Sequence, residues 1–80
     1  MSELLEQARK NPQSLTFKEL QQLAHLAGFQ LKRVRGSHYV YTRKGIAEII
    51  NIQPKGKMAK PYQVRQVVNL FDQYDLLKKR

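Results

Sequence analysis

The chain has 80 residues, enough for one small domain, and contains no cysteine, so it can form neither a disulfide framework nor a thiolate metal site. Its formal net charge is +9, and residues 32 to 65 carry nine basic side chains against a single acidic one, Glu48. Such a segment is expected to bind a polyanion, with nucleic acid as the favoured partner. The sequence shows neither a signal-peptide pattern nor an apolar run of membrane-spanning length, which predicts a cytoplasmic protein without membrane contact.

The first third of the chain predicts two helices. Residues 2–10 form a short helix that ends at Asn11-Pro12, because the residue before a proline avoids the helical region. Thr16 and Glu19 match a capping box, which marks the start of a second helix, and Gly28 suits the left-handed position at its end. The apolar residues that repeat with helical period, and are therefore expected in the core, are Phe17, Leu20, Leu23, Ala24 and Ala27.

The remaining elements are three strands and a last helix. Strands are predicted over 29–35, 38–43 and 46–53, with tight turns at Gly36-Ser37 and Lys44-Gly45. Residues 54–60 are predicted to form a loop, and Pro61 fits the first turn of the final helix, where its missing N–H is not needed. The predicted buried stripe of that helix consists of Val64, Val67, Val68, Phe71 and Tyr74.

This order of elements predicts an α+β fold, in which a three-stranded antiparallel sheet carries both main helices on one face. The double-stranded-RNA-binding fold has the same α-β-β-β-α order. We expect a single domain over 1–80, with an N-terminal helical extension at 1–12 and a core at 14–76; the extension could serve docking, dimerisation or shielding of the core. Tyr39 and Tyr41 share one face of the second strand, opposite His38 and Val40, and are expected to pack in the sheet or core. Alternation alone leaves open which face meets the helices.

The candidate for catalytic chemistry is His38. The carboxylates are scattered and no glycine-rich phosphate loop precedes a helix, so neither a metal ion nor a cofactor is predicted. RNA carries its own nucleophile, the 2′-OH, and a histidine can take its proton or protonate the leaving oxygen while cations stabilise the phosphoryl group. By residue type alone, His38 could also be an exposed residue that only contacts phosphate. His25 is expected to be an exposed helix residue.

The basic side chains around His38 are the predicted RNA contacts, together with the lysines before the last helix, where backbone N–H groups favour phosphate. The basic residues are Lys32, Arg33, Arg35, Arg43, Lys55, Lys57 and Lys60, and Ser37 next to His38 is predicted to contact RNA with them. The lysine segment could also be a solvated loop. The group that protonates the leaving oxygen stays open between Lys57, Lys60, Tyr41 and water.

Residues 17 to about 68 resemble the HicA family of toxin–antitoxin ribonucleases. The matching motifs are Phe17-Lys18-Glu19-Leu20, Leu26-Ala27-Gly28-Phe29, the Gly-Ser-His turn within 35–41, and Ile52-Gln53-Pro54, followed by Lys57, Lys60 and Pro61. The resemblance implies a type II toxin that cleaves mRNA as a metal-independent endoribonuclease (an mRNA interferase), with His38 as its catalytic histidine. It also implies neutralisation by a HicB-type antitoxin, on which we expect an acidic surface.

Two other functions fit the charge and the predicted fold. The first is a non-catalytic double-stranded-RNA-binding module, and the second is a regulatory protein whose basic face binds an acidic protein. RNA cleavage in the presence of EDTA that is lost in His38→Ala would distinguish the ribonuclease from the binding module. Salt-sensitive binding to a protein partner without RNA affinity would indicate the regulatory protein.

Overall fold

Within residues 3–76, three helices, one short 3₁₀ turn and five strands follow each other. The computed structural model describes residues 3–76, so Ser2 of the predicted first helix and the other terminal residues of the predicted 1–80 domain lie outside it. The helices are α1 (Glu3–Lys10), α2 (Phe17–Leu26) and α3 (Pro61–Tyr74). The strands are β1 (Gln30–Arg35), β2 (His38–Arg43), β3 (Ile46–Ile52), β4 (Pro54–Lys55) and β5 (Met58–Ala59). The predicted α+β class with a three-stranded antiparallel sheet is confirmed. None of the helices within residues 3–76 combines the length and the apolarity needed to cross a membrane.

Local sequence signals determine both ends of α2. The Thr16 hydroxyl accepts a hydrogen bond from the backbone N–H of Glu19 at 3.1 Å, and the Glu19 carboxylate accepts one from the backbone N–H of Thr16 at 2.9 Å. The predicted capping box is therefore confirmed. After the helix, Gly28 has a φ of 86°, the left-handed conformation expected there. All five predicted apolar residues of this helix region are buried.

The main sheet has the order β1-β2-β3, and its register shows which face meets the helices. Tyr39 lies opposite Ile52, and Tyr41 lies opposite Ile50. Because paired residues on neighbouring strands point to the same side, these four side chains share a face. Tyr41 is only 1% exposed and lies in the core with both isoleucines, so this face packs against the helices. We call the other face, which carries His38, the open face.

The two tyrosines of β2 have the predicted packing role. The Tyr39 ring meets the Phe17 ring edge-on, with the ring centroids 4.9 Å apart. The Tyr41 hydroxyl accepts a hydrogen bond from Gln21 Nε2 at 3.0 Å, and the His25 ring stands edge-on to Tyr41. His25 itself is exposed on α2, as predicted. Tyr41 is therefore directed away from the open face and cannot protonate a leaving group there.

The prediction of a loop over residues 54–60 is wrong, because this segment forms a small hairpin. Strands β4 and β5 pair through Lys55 and Met58 around a turn in which Gly56 has a φ of 62°. The hairpin is held by the segment before α2: the backbone N–H of Phe17 donates to the Lys57 carbonyl at 2.8 Å, and that of Ala59 donates to the Leu15 carbonyl at 3.0 Å. These pairings join parts of the chain about forty residues apart, so no local pattern could predict them.

Helix α3 closes the core. Pro61 is in its first turn as predicted, and the predicted Val64, Val67, Val68 and Phe71 are all buried. The predicted burial of Tyr74 is wrong: this side chain is 37% exposed, and its hydroxyl donates a hydrogen bond to Glu48 of β3. Leu70 is buried on this helix instead, and so is the polar side chain of Gln63.

The N-terminal helix packs on this core. Leu5 and Ala8 of α1 are buried in the same cluster as the apolar side chains of α2 and α3. The Arg9 guanidinium donates to both carboxylate oxygens of Asp72 on α3, at 2.6 and 2.9 Å. This contact lowers the pKa of Asp72, because the hydrogen-bonded cation stabilises the carboxylate. Helix α1 therefore covers part of α3 and extends the helical layer.

Candidate active site

His38 is the first residue of β2 and lies at one end of the open face. It follows the two-residue turn Gly36-Ser37, in which Gly36 has a φ of 60°, and it stands opposite Arg35 in the antiparallel register. The imidazole is exposed, and its Nδ1 atom is 3.2 Å from Oδ1 of Asn51 on β3. Three neighbouring positions on the open face thus provide an imidazole, a guanidinium and a carboxamide.

A groove of about 340 Å³ begins at His38 and runs between β3 and the first turns of α3. We call it the His38 groove; its lining residues are His38, Ile49, Asn51, Gln53, Tyr62, Gln63 and Gln66. Four carboxamides and one exposed tyrosine therefore surround the imidazole, and none of these neighbours carries a charge. Gln63 of α3 is 5% exposed, and its Oε1 accepts a hydrogen bond from the backbone N–H of Gln53 at 3.1 Å. This contact holds α3 against the end of β3.

Three of the predicted RNA contacts share this end of the sheet with His38. Arg33 and Arg35 face Val40 and His38 across the β1–β2 pairing, and paired residues point to the same side, so both guanidinium groups lie on the open face. Val40 is only 7% exposed although it is not part of the helix-side core, so its neighbours on the open face must cover it. Ser37 is exposed in the turn beside them.

A second groove, of about 630 Å³, lies at the far end of the β1–β2 pair. We call it the cationic groove; its lining residues are Gly28, Gln30, Lys32, Thr42, Arg43 and Lys44. Lys32 is placed there by a register shift between Leu31 and Arg33, which inserts an extra residue into β1. The structure thus separates Lys32 from His38, whereas Arg33 and Arg35 stay beside it.

Arg43 has a partner within the protein. Its Nη1 donates a hydrogen bond at 2.7 Å to the carbonyl of Ala27, the residue that ends α2. Carbonyl groups at a helix C-terminus lack hydrogen-bond partners within the helix and carry partial negative charge. A guanidinium supplies both a hydrogen-bond donor and a positive charge there. The structure therefore gives this predicted RNA contact a structural role at the junction between α2 and β1.

The three predicted lysines lie on or beside the small hairpin. Lys55 and Lys57 are exposed, and Lys60 is half-buried at the residue before α3. The hairpin follows β3 at the end where Ile52 pairs with Tyr39 of β2. Helix α3, which carries Tyr62, follows the hairpin. Chain connection therefore brings the lysines to the same end of the molecule as the His38 groove.

Glu48, the single acidic residue of the basic segment, is engaged away from His38. Its carboxylate accepts hydrogen bonds from the Tyr74 hydroxyl and from Gln73 Nε2 of α3. The hydrogen bond from Tyr74 lowers the pKa of Glu48 and raises that of Tyr74, because it stabilises the carboxylate and holds the phenol proton. Since this carboxylate is bound by α3, the residues that surround His38 present cations and amides to an approaching anion.

Asn51, Tyr62 and Gln63 line the His38 groove but were not predicted from the sequence. The alternation of Ile50 and Ile52 with Asn51 and Gln53 was a usable signal, since it predicts that the amides lie on the face opposite the core. Nothing in the sequence links Tyr62 to His38, because their proximity depends on how α3 lies along the β3 edge. In the part of the chain that the structure describes, no three His, Cys, Asp or Glu side chains are grouped in a way that could hold a metal ion.

Comparison with known families bears on the same residues. A family model described as the HicA toxin of bacterial toxin-antitoxin matches residues 17–76, which is 60 of the 80 residues. The match starts at the first residue of α2 and includes β1–β3, the hairpin and α3, and hence both grooves. No curated protein and no solved structure gives a significant match. On the strength of the family match, the chain belongs to the HicA family, the toxins of bacterial toxin–antitoxin systems.

Proposed function

We propose that this protein is a metal-independent endoribonuclease that cleaves mRNA as the toxin of a type II toxin–antitoxin system. The observation that carries the proposal is an exposed imidazole at the end of a basic, open sheet face, in hydrogen-bond contact with a carboxamide oxygen. Family membership supports the toxin assignment, and the geometry around His38 supports the chemistry.

The proposed reaction uses the 2′-OH of the substrate as nucleophile. His38 takes the 2′-OH proton while that oxygen bonds to the adjacent phosphorus, and the bond from phosphorus to the 5′ oxygen breaks. The leaving 5′ oxygen gains a proton, so the products are a 2′,3′-cyclic phosphate and a 5′ hydroxyl. An amide oxygen can only accept, so the contact with Asn51 Oδ1 suits the tautomer with its proton on Nδ1, in which the lone pair on Nε2 is free to accept a proton. The contact therefore favours the role of general base.

Cations on the open face complete the proposed site. Arg35 stands opposite His38 and Arg33 lies two residues away on the same face of β1, so a phosphate beside the imidazole would meet one or both guanidinium groups. Such groups bind phosphate oxygens in a bidentate manner and stabilise the charge that develops there during transfer. Lys55, Lys57 and Lys60 would bind phosphates further along the strand, and Lys32 would do so at the cationic groove. Lys57, Lys60 and water remain as donors to the leaving oxygen.

The proposed partner is a HicB-type antitoxin with an acidic surface. A protein that neutralises this toxin has to prevent RNA from reaching His38, and the open face presents Arg33 and Arg35 without a competing carboxylate. Complementary charge would speed association and fix the orientation of the complex.

A test compares wild type with His38→Ala and His25→Ala. His25 is a matched control, because it is the second histidine of the chain and is exposed on the helical layer. We expect wild type and His25→Ala to cut single-stranded RNA in the presence of EDTA, and His38→Ala to be slower by roughly 10²- to 10⁴-fold. Circular dichroism establishes that all three variants are folded. RNA binding without cleavage in wild type would instead indicate the double-stranded-RNA-binding module, which shares the element order.

In a growing bacterium, the same variants test the toxin assignment. Expression of wild type or His25→Ala is expected to arrest growth and reduce RNA integrity, whereas His38→Ala is expected to do neither. Equal arrest by wild type and His38→Ala would contradict a catalytic role of this histidine.

A further inference from the structure

The residues that line the His38 groove differ in chemistry from the basic side chains that are predicted to contact RNA. Apart from the imidazole, its walls consist of carboxamides, one tyrosine and one isoleucine, whereas the cationic groove presents Lys32, Arg43 and Lys44. Cations bind the phosphate backbone without distinguishing bases, while amides and aromatic rings bind base edges and base faces. We propose that the His38 groove is a nucleobase pocket that holds an unpaired base next to the scissile phosphate and gives the enzyme its base preference. The inference deepens the proposed ribonuclease function and rests on it for the position of the scissile bond.

Tyr62 provides the surface on which a base stacks. It is 52% exposed in the first turn of α3, whereas Tyr41 is only 1% exposed in the core. Its hydroxyl accepts a hydrogen bond from Gln63 Nε2 at 3.3 Å, and the same side chain binds the backbone of Gln53. The ring is therefore held at the groove although it has little packing around it. Exposed, positioned aromatic rings are the usual platforms for unpaired bases in RNA-binding proteins.

Ile49 provides an apolar surface in the same groove. It is 57% exposed on β3, whereas its neighbour Ile50 is 4% exposed in the core. Both Ile49 and Tyr62 line the groove together with His38. Two exposed apolar side chains beside a polar active site are unfavourable in water, and a base that covers them would remove that surface from solvent.

Two carboxamides are available to bind the edge of the base. Asn51 Oδ1 is used by His38, and both polar atoms of Gln63 are engaged with Gln53 and Tyr62. The side chains of Gln53 and Gln66 also line the groove, and neither makes a hydrogen bond to another residue of the described segment 3–76. Each carboxamide offers donors and an acceptor, the combination that recognises the edge of a base.

The volume of the groove agrees with this occupant. About 340 Å³ lies at the lower end of the range for small-molecule sites, which is appropriate for a single planar ring system that remains partly exposed. Because His38 is itself part of the wall, a base in the groove belongs to one of the two nucleotides that flank the bond to be cut.

The experiment uses 2′-O-methyl oligonucleotides that carry one ribonucleotide, so that only one bond can be cleaved. The base is varied among the four types at the ribonucleotide and, separately, at the following nucleotide. Affinity is measured on matched strands in which a 2′-deoxynucleotide replaces the ribonucleotide and removes the nucleophile, and cleavage is measured on the originals. The full-length variants Tyr62→Leu and Gln66→Leu are compared with two controls outside the groove, Tyr74→Leu on the same helix and Gln22→Leu on α2.

We expect wild type to discriminate between bases at one of the two positions. Tyr62→Leu should weaken binding of the preferred strand by roughly 5- to 150-fold, the range measured for loss of one base–aromatic stack. Gln66→Leu should reduce the difference between preferred and disfavoured bases and leave the weakest strand unaffected. Both controls should bind and discriminate like wild type.

Two outcomes separate this inference from the proposed function. Cleavage that depends on His38, combined with equal affinity for all bases or with equal effects of Tyr62→Leu and Tyr74→Leu, would overturn the nucleobase pocket and leave the ribonuclease intact. Base-selective binding that Tyr62→Leu abolishes, without any cleavage by wild type, would support the pocket and overturn the catalytic proposal.

Discussion

Replacement of Arg43 by alanine tests whether this cation stabilises the fold or binds RNA. Its guanidinium donates to the Ala27 carbonyl at 2.7 Å and lies so close to Gly28 that an added Cβ atom there would be 2.9 Å from Nη1. A hydrogen bond from a charged donor contributes about 1.5–3 kcal/mol, and this one is partly shielded from water. We therefore expect Arg43→Ala to lower the free energy of unfolding by about 1.5–3 kcal/mol. Urea denaturation followed by far-ultraviolet circular dichroism measures this difference.

Lys44→Ala is the matched control for Arg43→Ala, because Lys44 lines the same cationic groove and is exposed. Its loss should change stability by no more than about 0.5 kcal/mol. A domain of this length has a total stability of roughly 4–12 kcal/mol, so Arg43→Ala should still be folded in buffer and its RNA affinity can be measured. If Arg43→Ala is as stable as Lys44→Ala but binds RNA more weakly, the assignment of Arg43 to the helix end is wrong and the original RNA-contact prediction holds.

Three further predictions concern the proposed active site, its RNA contacts and the helical layer. Asn51→Leu should slow single-turnover cleavage by roughly 10- to 100-fold, because His38 loses the acceptor that holds its ring in place; an unchanged cleavage rate would contradict this role. Asp72→Asn should lower the urea midpoint at neutral pH. The pKa of Asp72 is lowered in the folded state by Arg9, so its stabilising effect is present above the unfolded value near 3.9 and is lost as pH falls through the folded value. Wild type and this variant should therefore converge in strong acid. Arg33→Ala should reduce the slope of log affinity against log salt by about one, and an unchanged slope would place this guanidinium away from phosphate.

The helices and the main turns could be predicted from the sequence because their signals are local. The capping box of Thr16 and Glu19 and the left-handed Gly28 fix both ends of α2 within the helix itself. Pro61 likewise marks the start of α3. Each of these residues acts on backbone groups within a few positions of its own, so the surrounding fold hardly alters the outcome.

The features that escaped prediction all depend on distant parts of the chain. The hairpin of β4 and β5 is held by backbone contacts to Leu15 and Phe17, and Arg43 finds its acceptor sixteen residues earlier, at Ala27. The partnership of His38 with Asn51 requires the register of β2 against β3. Residue type alone made His38 the candidate for catalysis, but only the three-dimensional arrangement shows which side chains contact it.

Strand β1 can carry three basic residues because its side chains are not needed in the core. All six of its residues are exposed, including Leu31 at 44% and Val34 at 48%, although both lie on the side of the sheet that carries the helices. The helical layer therefore covers β2 and β3 and leaves β1 open on both sides. A strand without a buried side has no need for strict alternation of apolar and polar residues, which explains why the alternation in β1 weakens after its first half. Lys32, Arg33 and Arg35 can then be accommodated on β1 without displacing core residues, and the two arginines lie next to His38. Basic charge and stability are thus assigned to different strands, which lets this small domain keep a cationic surface next to its proposed catalytic histidine.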